Sequence, residues 1–291
     1  MKPAPFTYFA PHSLDEAVSL LGRYGSDAKP LAGGQSLVPL MNFRLAKPRY
    51  LVDLNRIPEL AYIRREDGTL AVGAMTRQFE AERSDLVRAA VPLLVEALKL
   101  VGHPTIRHRG TVGGSIAHAD PAAELPAAAV ALGAELVIRS GRGTRTVPAE
   151  NFFVGPFTTG LAPDELLTEI RIPVTQPGTG YAFLELSRRH GDFAIVGVAA
   201  LVRLATDGTV ERASVVLCGA GPTPVRARQA EAALQGAAPT EDRFREAGEL
   251  AAREAQPTSD IHASAEYRRR VAAVLVRRAL LAATERARER R

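Results

Sequence analysis

Cysteine is almost absent from this chain of 291 residues, because Cys218 is the only one. A [2Fe-2S] cluster normally takes four cysteine ligands, so the chain cannot hold such a cluster by itself. Cys218 stands in an apolar run that is typical of a strand. We therefore expect a buried structural thiol rather than a reactive one.

Long apolar runs are also absent. Hydrophobic residues make up 46% of the chain, but no stretch approaches the roughly 20 consecutive apolar residues of a membrane helix. The first residues, MKPAPFTYFAPHS, lack the apolar core of a signal peptide. These absences predict a cytoplasmic protein with no membrane span.

The chain is basic, with a net charge of +5 and few aromatic residues, 5% of the total. Residues 268–291 contain nine arginines and two glutamates, an excess larger than the net charge of the whole chain. The same stretch carries apolar residues at helical spacing, namely Val271, Val274, Leu275, Leu281 and Ala282. Without interleaved aromatic residues, this pattern favours a solvated helix face over nucleic-acid binding. Docking to an acidic partner surface stays open.

The first of two Gly-Gly motifs lies between a predicted strand and a predicted helix. The strand covers residues 29–32, the helix covers residues 37–44, and Ser36 is the expected N-cap. Glycine adopts positive φ and has no Cβ, so consecutive glycines can direct several N–H groups at one anion. A connection that binds nothing fits the same residues, because short glycine motifs occur by chance.

The second Gly-Gly motif is Thr111-Val112-Gly113-Gly114-Ser115, which we also expect to form a turn. Pro121 and Pro126 exclude one continuous helix through the residues that follow. We expect a single turn near residues 121–124 and a helix from Pro126 to about Leu132. Glu124 would then lie on an irregular segment, free to accept hydrogen bonds from ribose or ribityl hydroxyls. Helix capping or a solvated loop charge fits the same residue.

Four stretches together resemble a known family. They are AGGQSLVPLMNFRLAKPRYLVDLNRI, IRHRGTVGGSIAHADPAAELPAA, LLTEIRIP and RRHGDFAIVGVAA. They are similar to the FAD-binding medium subunit of molybdenum hydroxylases, the xanthine dehydrogenase and aerobic carbon monoxide dehydrogenase family, over essentially the whole chain. The resemblance implies an FAD-binding fold of the vanillyl-alcohol-oxidase (PCMH) type. The sequence agrees in lacking a dinucleotide-binding G-x-G-x-x-G motif.

The resemblance also implies where FAD binds. The two glycine motifs would hold the diphosphate and its neighbouring groups, Asp120 and Glu124 would lie near the sugar or ribityl hydroxyls, and Leu167 and Phe193 would approach the isoalloxazine ring. Some relatives of the wider fold attach flavin through histidine, whereas this chain has Gln35, so we expect non-covalent FAD. The implied binding residues are Ala32, Gly33, Gly34, Gln35, Ser36, Leu37, Thr111, Val112, Gly113, Gly114, Ser115, Asp120, Glu124, Leu167 and Phe193.

The implied function is electron transfer within a larger complex. Molybdopterin and the [2Fe-2S] clusters would lie on a large and a small partner subunit, in a dimer of heterotrimers, and this chain would pass electrons to an external acceptor. Two alternatives stay open: a self-sufficient FAD-dependent reductase or oxidase of the same fold, and a scaffold without flavin. We expect no metal site, because the spacing of His103, His108 and His118 matches no ligand set. No catalytic triad is expected either.

The predicted architecture is α+β and has three parts. Residues 1–57 and 58–175 would form the two subdomains of the FAD-binding domain. Within the second subdomain we expect a hairpin turning at Asp67-Gly68 and one apolar helix from Leu86 to Val101. Residues 180–289 would form a C-terminal domain, an antiparallel sheet with helices on one face.

Overall fold

The computed structural model describes residues 2–290 of the chain. Three main sheets follow one another along the sequence, each with helices packed on it. The α+β class expected from the sequence is therefore confirmed. No helix in this part of the chain is long and apolar enough to cross a membrane.

The first sheet is small and parallel. Its elements are β1 (Thr7–Phe9), α1 (Leu14–Tyr24), β2 (Ala28–Leu31), α2 (Leu37–Asn42) and β3 (Tyr50–Asp53). The strands lie in the order β1, β3, β2. The Ser13 side chain accepts a hydrogen bond from the Glu16 amide and so fixes the start of α1. Leu21 of α1 is buried with Val52 of β3 in a core of their own.

The second sheet is antiparallel and has five strands. Its part of the chain contains β4 (Ile63–Glu66), β5 (Thr69–Gly73), α3 (Gln78–Arg83), α4 (Asp85–Ala90), α5 (Pro92–Leu100), α6 (Pro104–Arg109), α7 (Val112–His118), α8 (Glu124–Ala131), β6 (Glu135–Ser140), β7 (Gly143–Pro148), β8 (Phe153–Gly155), β9 (Thr158–Thr159) and β10 (Leu166–Pro173). The strand order is β4, β5, β10, β6, β7, while β8 and β9 form a separate hairpin. Strands β4 and β5 join at the predicted turn, where Asp67 and Gly68 have φ of 45° and 76°.

The third sheet is antiparallel and carries the C-terminal helices. It consists of β11 (Thr179–Leu186), β12 (Val196–Leu204), β13 (Val210–Cys218) and β14 (Val225–Arg226), followed by α9 (Arg228–Leu234), α10 (Glu241–Glu254) and α11 (Ala265–Glu289). These helices cover one face, as predicted, and α5 and α8 pack on the other face. Cys218 is buried on the face shared with α8, so the expected structural thiol is confirmed.

The apolar stretch 86–101 forms two helices, so the prediction of one continuous helix was wrong. Helix α4 ends at Ala90 and α5 begins at Pro92. Proline has no N–H to donate to the fourth residue before it, and its ring clashes with that carbonyl. The chain therefore turns at Val91, which has φ of −142°.

The start of helix α8 also differs from the prediction. The helix begins at Glu124, because Pro126 takes the third helical position, where no intrahelical N–H partner is lost. Glu124 therefore lies on a helix and not on an irregular segment. The predicted end is confirmed, since Gly133 has φ of 65° after the last helical turn.

Helix α11 buries a stripe that the sequence pattern did not identify. Of the predicted apolar positions only Leu275 is buried, whereas Val274 is 43% exposed. Small residues on the buried stripe let the helix approach the sheet closely, and a Cβ on Gly180 would lie 1.8 Å from the Ala283 carbonyl oxygen. The buried apolar residues are Ala272, Leu275, Val276, Ala279, Leu280, Ala283 and Ala287.

Candidate functional site

The carboxyl edge of the parallel sheet forms a cleft. Strands β2 and β3 lie side by side and end at Leu31 and Asp53. The side-chain amide of Asn55, just after β3, donates a 3.0 Å hydrogen bond to the Ala32 carbonyl, just after β2. Such edges of parallel strands commonly bind ligands. The cleft has a volume of about 370 Å³ and is lined by Leu31, Ala32, Gly33, Gly34, Gln35, Val38, Pro39, Asp53, Asn55 and Arg109.

Four consecutive backbone amides on this edge have no partner. Within residues 2–290 the N–H groups of residues 33–36 donate no hydrogen bond. Backbone N–H groups removed from water nearly always find an acceptor. Gly34 has φ of 73°, the conformation that lets neighbouring N–H groups converge on an anion. The Gln35 side chain donates to the Gly33 carbonyl at 3.1 Å, and this bond steadies the turn.

Close packing around the two motifs leaves no room for a side chain at three of their glycines. A Cβ on Gly33 would lie 2.3 Å from the Arg109 carbonyl oxygen, and one on Gly114 would lie 2.6 Å from the Thr111 Oγ1 atom and 3.4 Å from the Ala32 Cβ. A Cβ on Gly113 would lie 2.4 Å from the Ala74 Cβ. The second motif therefore lies directly behind the first.

The second motif is the beginning of helix α7 and not a turn, so that expectation was wrong. Thr111 caps the helix, and its hydroxyl accepts a hydrogen bond from the Gly114 amide at 3.0 Å. The amides of residues 112, 113 and 115 donate to the carbonyls of Thr76, Ala74 and Thr111. All four amides are thus engaged inside the protein, unlike those of the first motif. The expected N-cap Ser36, in contrast, makes no side-chain capping bond to α2.

Two arginines that the motifs did not identify lie at the cleft. Arg77 donates to the Arg109 carbonyl at 2.6 Å and to the Asn55 side-chain oxygen at 2.6 Å, so it joins the two motif segments. Burial, followed by the charge of Arg109, lowers the pKa of Arg77. Arg109 lines the cleft, and no carboxylate in residues 2–290 forms an ion pair with it. It places a free positive charge beside the unpartnered amides.

Asp53 and Asn55 were missed although the sequence carried a signal for them. The Tyr8 hydroxyl donates to Asp53 at 2.5 Å, and the Asn55 amide donates to the same carboxylate at 2.9 Å. Polar residues that directly follow a parallel strand gather at the ligand-binding edge of the sheet. The run Val52-Asp53-Leu54-Asn55 has this pattern. Arg77 has no comparable local signal, because it is brought to the site by tertiary packing.

Three carboxyl groups lie where α8 meets the third sheet. Asp120 accepts a hydrogen bond from the Ala122 amide at 2.9 Å. Glu124 is 4% exposed, and burial, with the nearby Glu185 and Asp120, raises its pKa to about 8. Burial raises the pKa of Glu185 to about 7, and its Oε2 atom has no hydrogen-bond partner among the residues described. Near neutral pH, the Glu124 carboxyl group is therefore mainly protonated.

Leu167 and Phe193 lie outside the cleft. Leu167 is 4% exposed and packs in the core between the second sheet and its helices. Phe193 is 62% exposed on the segment before β12, so it is not a core aromatic residue. Two of the three histidines considered for a metal make aromatic contacts: the centre of the His108 ring lies 3.7 Å from that of Phe79, and the centre of the His118 ring lies 5.2 Å from that of Phe157.

Two family models match this chain. Residues 4–175 match the FAD binding domain in molybdopterin dehydrogenase, and residues 181–283 match the CO dehydrogenase flavoprotein C-terminal domain. The two matches meet close to the start of β11, where the third sheet begins.

Curated relatives are similar over nearly their whole length. The 6-hydroxypseudooxynicotine dehydrogenase complex subunit alpha of Paenarthrobacter nicotinovorans is 43% identical over 99% of this chain and 97% of its own. The carbon monoxide dehydrogenase medium chain of Hydrogenophaga pseudoflava is 43% identical over 97% of this chain and 98% of its own.

Solved structures have the same fold. A chain of carbon monoxide dehydrogenase from Hydrogenophaga pseudoflava superposes with a TM-score of 0.96 at 45% identity, over 98% of this chain and 99% of that one. A chain of quinoline 2-oxidoreductase from Pseudomonas putida 86 gives a TM-score of 0.94 at 39% identity, over 99% of each chain.

Proposed function

Because the chain belongs to the family of FAD-binding medium subunits of molybdenum hydroxylases, we propose that it is the flavin-bearing electron-transfer subunit of such a complex. In this role it accepts electrons from iron–sulfur clusters on a partner subunit and passes them to an external acceptor. FAD, when bound, supplies the redox centre that exchanges these electrons.

The run of unpartnered amides at the first glycine motif is the observation that carries the proposal. A diphosphate is an acceptor for several N–H groups at once, and charge-assisted hydrogen bonds of this kind are short and strong. We assign the diphosphate to residues 32–37, with the amides of residues 33–36 as donors. Arg109 supplies a positive charge at the same cleft.

The second motif acts from behind the first. Gly33 packs closely on the backbone of Arg109 and Gly110, directly before this motif, and Gly114 lies against Ala32. We assign Thr111, Val112, Gly113, Gly114 and Ser115 to the support of the first motif and of the groups next to the diphosphate. Asp120 and Glu124 are assigned to the sugar or ribityl hydroxyls. Near neutral pH Glu124 donates its proton to such a group, while Asp120 accepts.

Leu167 and Phe193 are assigned to the ring end of the flavin, by resemblance. Phe193 is the exposed member of the pair and is free to cover a ring.

Gln35 cannot form the covalent bond to flavin that a histidine forms, so the FAD is bound non-covalently. The division into residues 1–57, 58–175 and 180–289 belongs to the same proposal and is supported by the three successive sheets.

The partners follow from the family. The relatives are subunits of dehydrogenase complexes, and we place molybdopterin on a large subunit and the [2Fe-2S] clusters on a small one, in a dimer of heterotrimers in the cytoplasm. Relatives with closely similar chains are named for carbon monoxide, 6-hydroxypseudooxynicotine and quinoline. We therefore place the choice of substrate on the large subunit.

The test uses the complex purified through a tag on this chain. Acid precipitation should release one FAD per chain into the supernatant. After FAD is removed, the substrate of the complex should still bleach the iron–sulfur absorption, whereas turnover with the acceptor should stop and return when FAD is added. Turnover without FAD would show that electrons leave from another centre, and flavin that stays in the pellet would contradict non-covalent binding.

A further inference from the structure

Helix α11 has a second apolar stripe, partly exposed, at the edge of its contact with β11. Tyr267 is 41% exposed and Val274 is 43% exposed, and Val271 between them is half-buried. These residues are three or four positions apart, so they share one face of the helix. A helix with apolar residues on two faces normally has a neighbour on each.

This second stripe forms one wall of a groove of about 330 Å³. The other wall is the end of β11, at Glu185 and Leu186. Leu186, Val271 and Val274 supply apolar surface, and Arg270 and Arg278 lie among the same lining residues. Tyrosine and arginine around an apolar centre are the residues most enriched at protein–protein interfaces.

The two arginines of the groove lack the partners that other arginines of α11 have. Arg268, Arg277 and Arg286 form ion pairs with Asp260, Glu241 and Glu96, at distances from 2.7 to 3.4 Å. Arg270 has only an exposed contact of 3.8 Å with Glu266 on its own helix. For Arg278, no carboxylate between residues 2 and 290 lies within ion-pair distance. Glu185 on the facing wall forms no ion pair with either arginine. The groove therefore presents two positively charged side chains and one carboxyl group beside apolar surface, with a positive charge in excess.

We propose that this groove docks an acidic segment of the iron–sulfur subunit. One apolar side chain of that segment packs between Leu186 and Val274, and flanking carboxylates pair with Arg270 and Arg278. The inference rests on the proposed function, because it requires a partner that delivers electrons.

The position of the groove favours the cluster-bearing subunit over the other partners. Strand β11 ends at Leu186 in the groove wall, and residues 187–193 lead directly to the exposed Phe193 that we assign to the flavin ring. A subunit anchored in the groove thus lies beside the flavin end of this chain. Electron donors must come close to the flavin, whereas the molybdopterin subunit has no such requirement.

The first test places a photo-crosslinking amino acid at position 274 in the assembled complex. Irradiation should join this chain to an acidic segment of the iron–sulfur subunit, which mass spectrometry of the crosslinked peptide identifies. Crosslinks to the large subunit, to a second copy of this chain or to no subunit would each overturn the proposal. FAD content of the same sample reports on the proposed function separately, because position 274 lies outside the flavin cleft.

The second test reverses the charges, as Arg270→Glu/Arg278→Glu, with Arg253→Glu on the exposed face of α10 as the matched control. The double variant should release the iron–sulfur subunit at least about tenfold faster than the control, because like charges that face each other across an interface weaken it strongly. Retention of all subunits at the control rate would overturn the proposal. If the double variant does not fold, Arg270→Gln/Arg278→Gln replaces it in the test. Because this variant lacks the two charges that salt would screen, its rate of losing the iron–sulfur subunit should depend less on salt than the rate of the wild type does.

Discussion

Gly33→Ala tests the contact between the two glycine motifs. The added Cβ would lie 2.3 Å from the Arg109 carbonyl oxygen and 2.7 Å from the Gly110 Cα, whereas real Cβ atoms essentially never come closer than 3.0 Å. Both obstacles are backbone atoms, so no side chain can rotate away. The segments after β2 and α6 must separate instead.

The expected cost has two parts. Overpacking of a close contact destabilises a protein by about 1–3 kcal/mol. The separation also strains the bond from Arg77 to the Arg109 carbonyl, at 2.6 Å, and hydrogen bonds of charged groups contribute about 1.5–3 kcal/mol each. A loss of about 1.4 kcal/mol in the free energy of FAD binding would by itself weaken that binding tenfold.

Gly22→Ala is the matched control. Gly22 lies in helix α1, and a Cβ added there would have no atom within 4 Å, so alanine should stabilise the chain by about 0.5–1 kcal/mol. Urea unfolding and the ratio of flavin to protein absorbance would be measured on both variants. Gly33→Ala should lose FAD and stability while Gly22→Ala keeps both. A Gly33→Ala variant with the FAD content and stability of the wild type would refute the packing argument.

Further predictions concern the cap, the cleft cation and the buried carboxyl group. Thr111→Val should lower the free energy of unfolding by about 1 kcal/mol, as should the N-cap variant Thr240→Val, but only the first should reduce FAD content. Arg109→Gln should weaken FAD binding about tenfold in equilibrium dialysis, and Arg109→Lys less, because lysine keeps the charge without the planar guanidinium. The pKa of Glu124 is raised from 4.5 to about 8, so between these pH values the folded chain holds a proton that the unfolded chain releases. The contribution of Glu124 to the free energy of unfolding therefore falls with rising pH, by at most about 1.4 kcal/mol per pH unit. Urea titrations at several pH values should show that Glu124→Gln removes this fall and that Glu249→Gln does not.

The sequence predicted much of the fold because local patterns agreed with the tertiary structure. The Asp67-Gly68 turn and the end of α8 near Leu132 are both signalled within a few residues. Proline explains two of the misses: Pro92 divides a helix that the apolar pattern made continuous, and Pro126 is accommodated in the first turn of α8.

The candidate site was only partly predictable. The structure places the first glycine motif at the cleft, and the positive φ of Gly34 is a local conformation that a Gly-Gly pair predicts. The second was misread as a turn, because Gly113 is required by a contact with Ala74 that only the fold creates. The sequence analysis did not identify Arg77 and Arg109 as site residues for the same reason, since their contacts at the cleft are with residues more than 20 positions away in the sequence.

The central claim is that the unpartnered amides of residues 33–36 bind the FAD diphosphate. An experimental density map of the assembled complex with its flavin tests this directly. The account predicts diphosphate oxygens within about 3.2 Å of these nitrogens, with the Arg109 guanidinium beside them and the amides of residues 112–115 still bonded inside the protein. A diphosphate bound elsewhere, or held by the amides of α7 instead, would contradict the account.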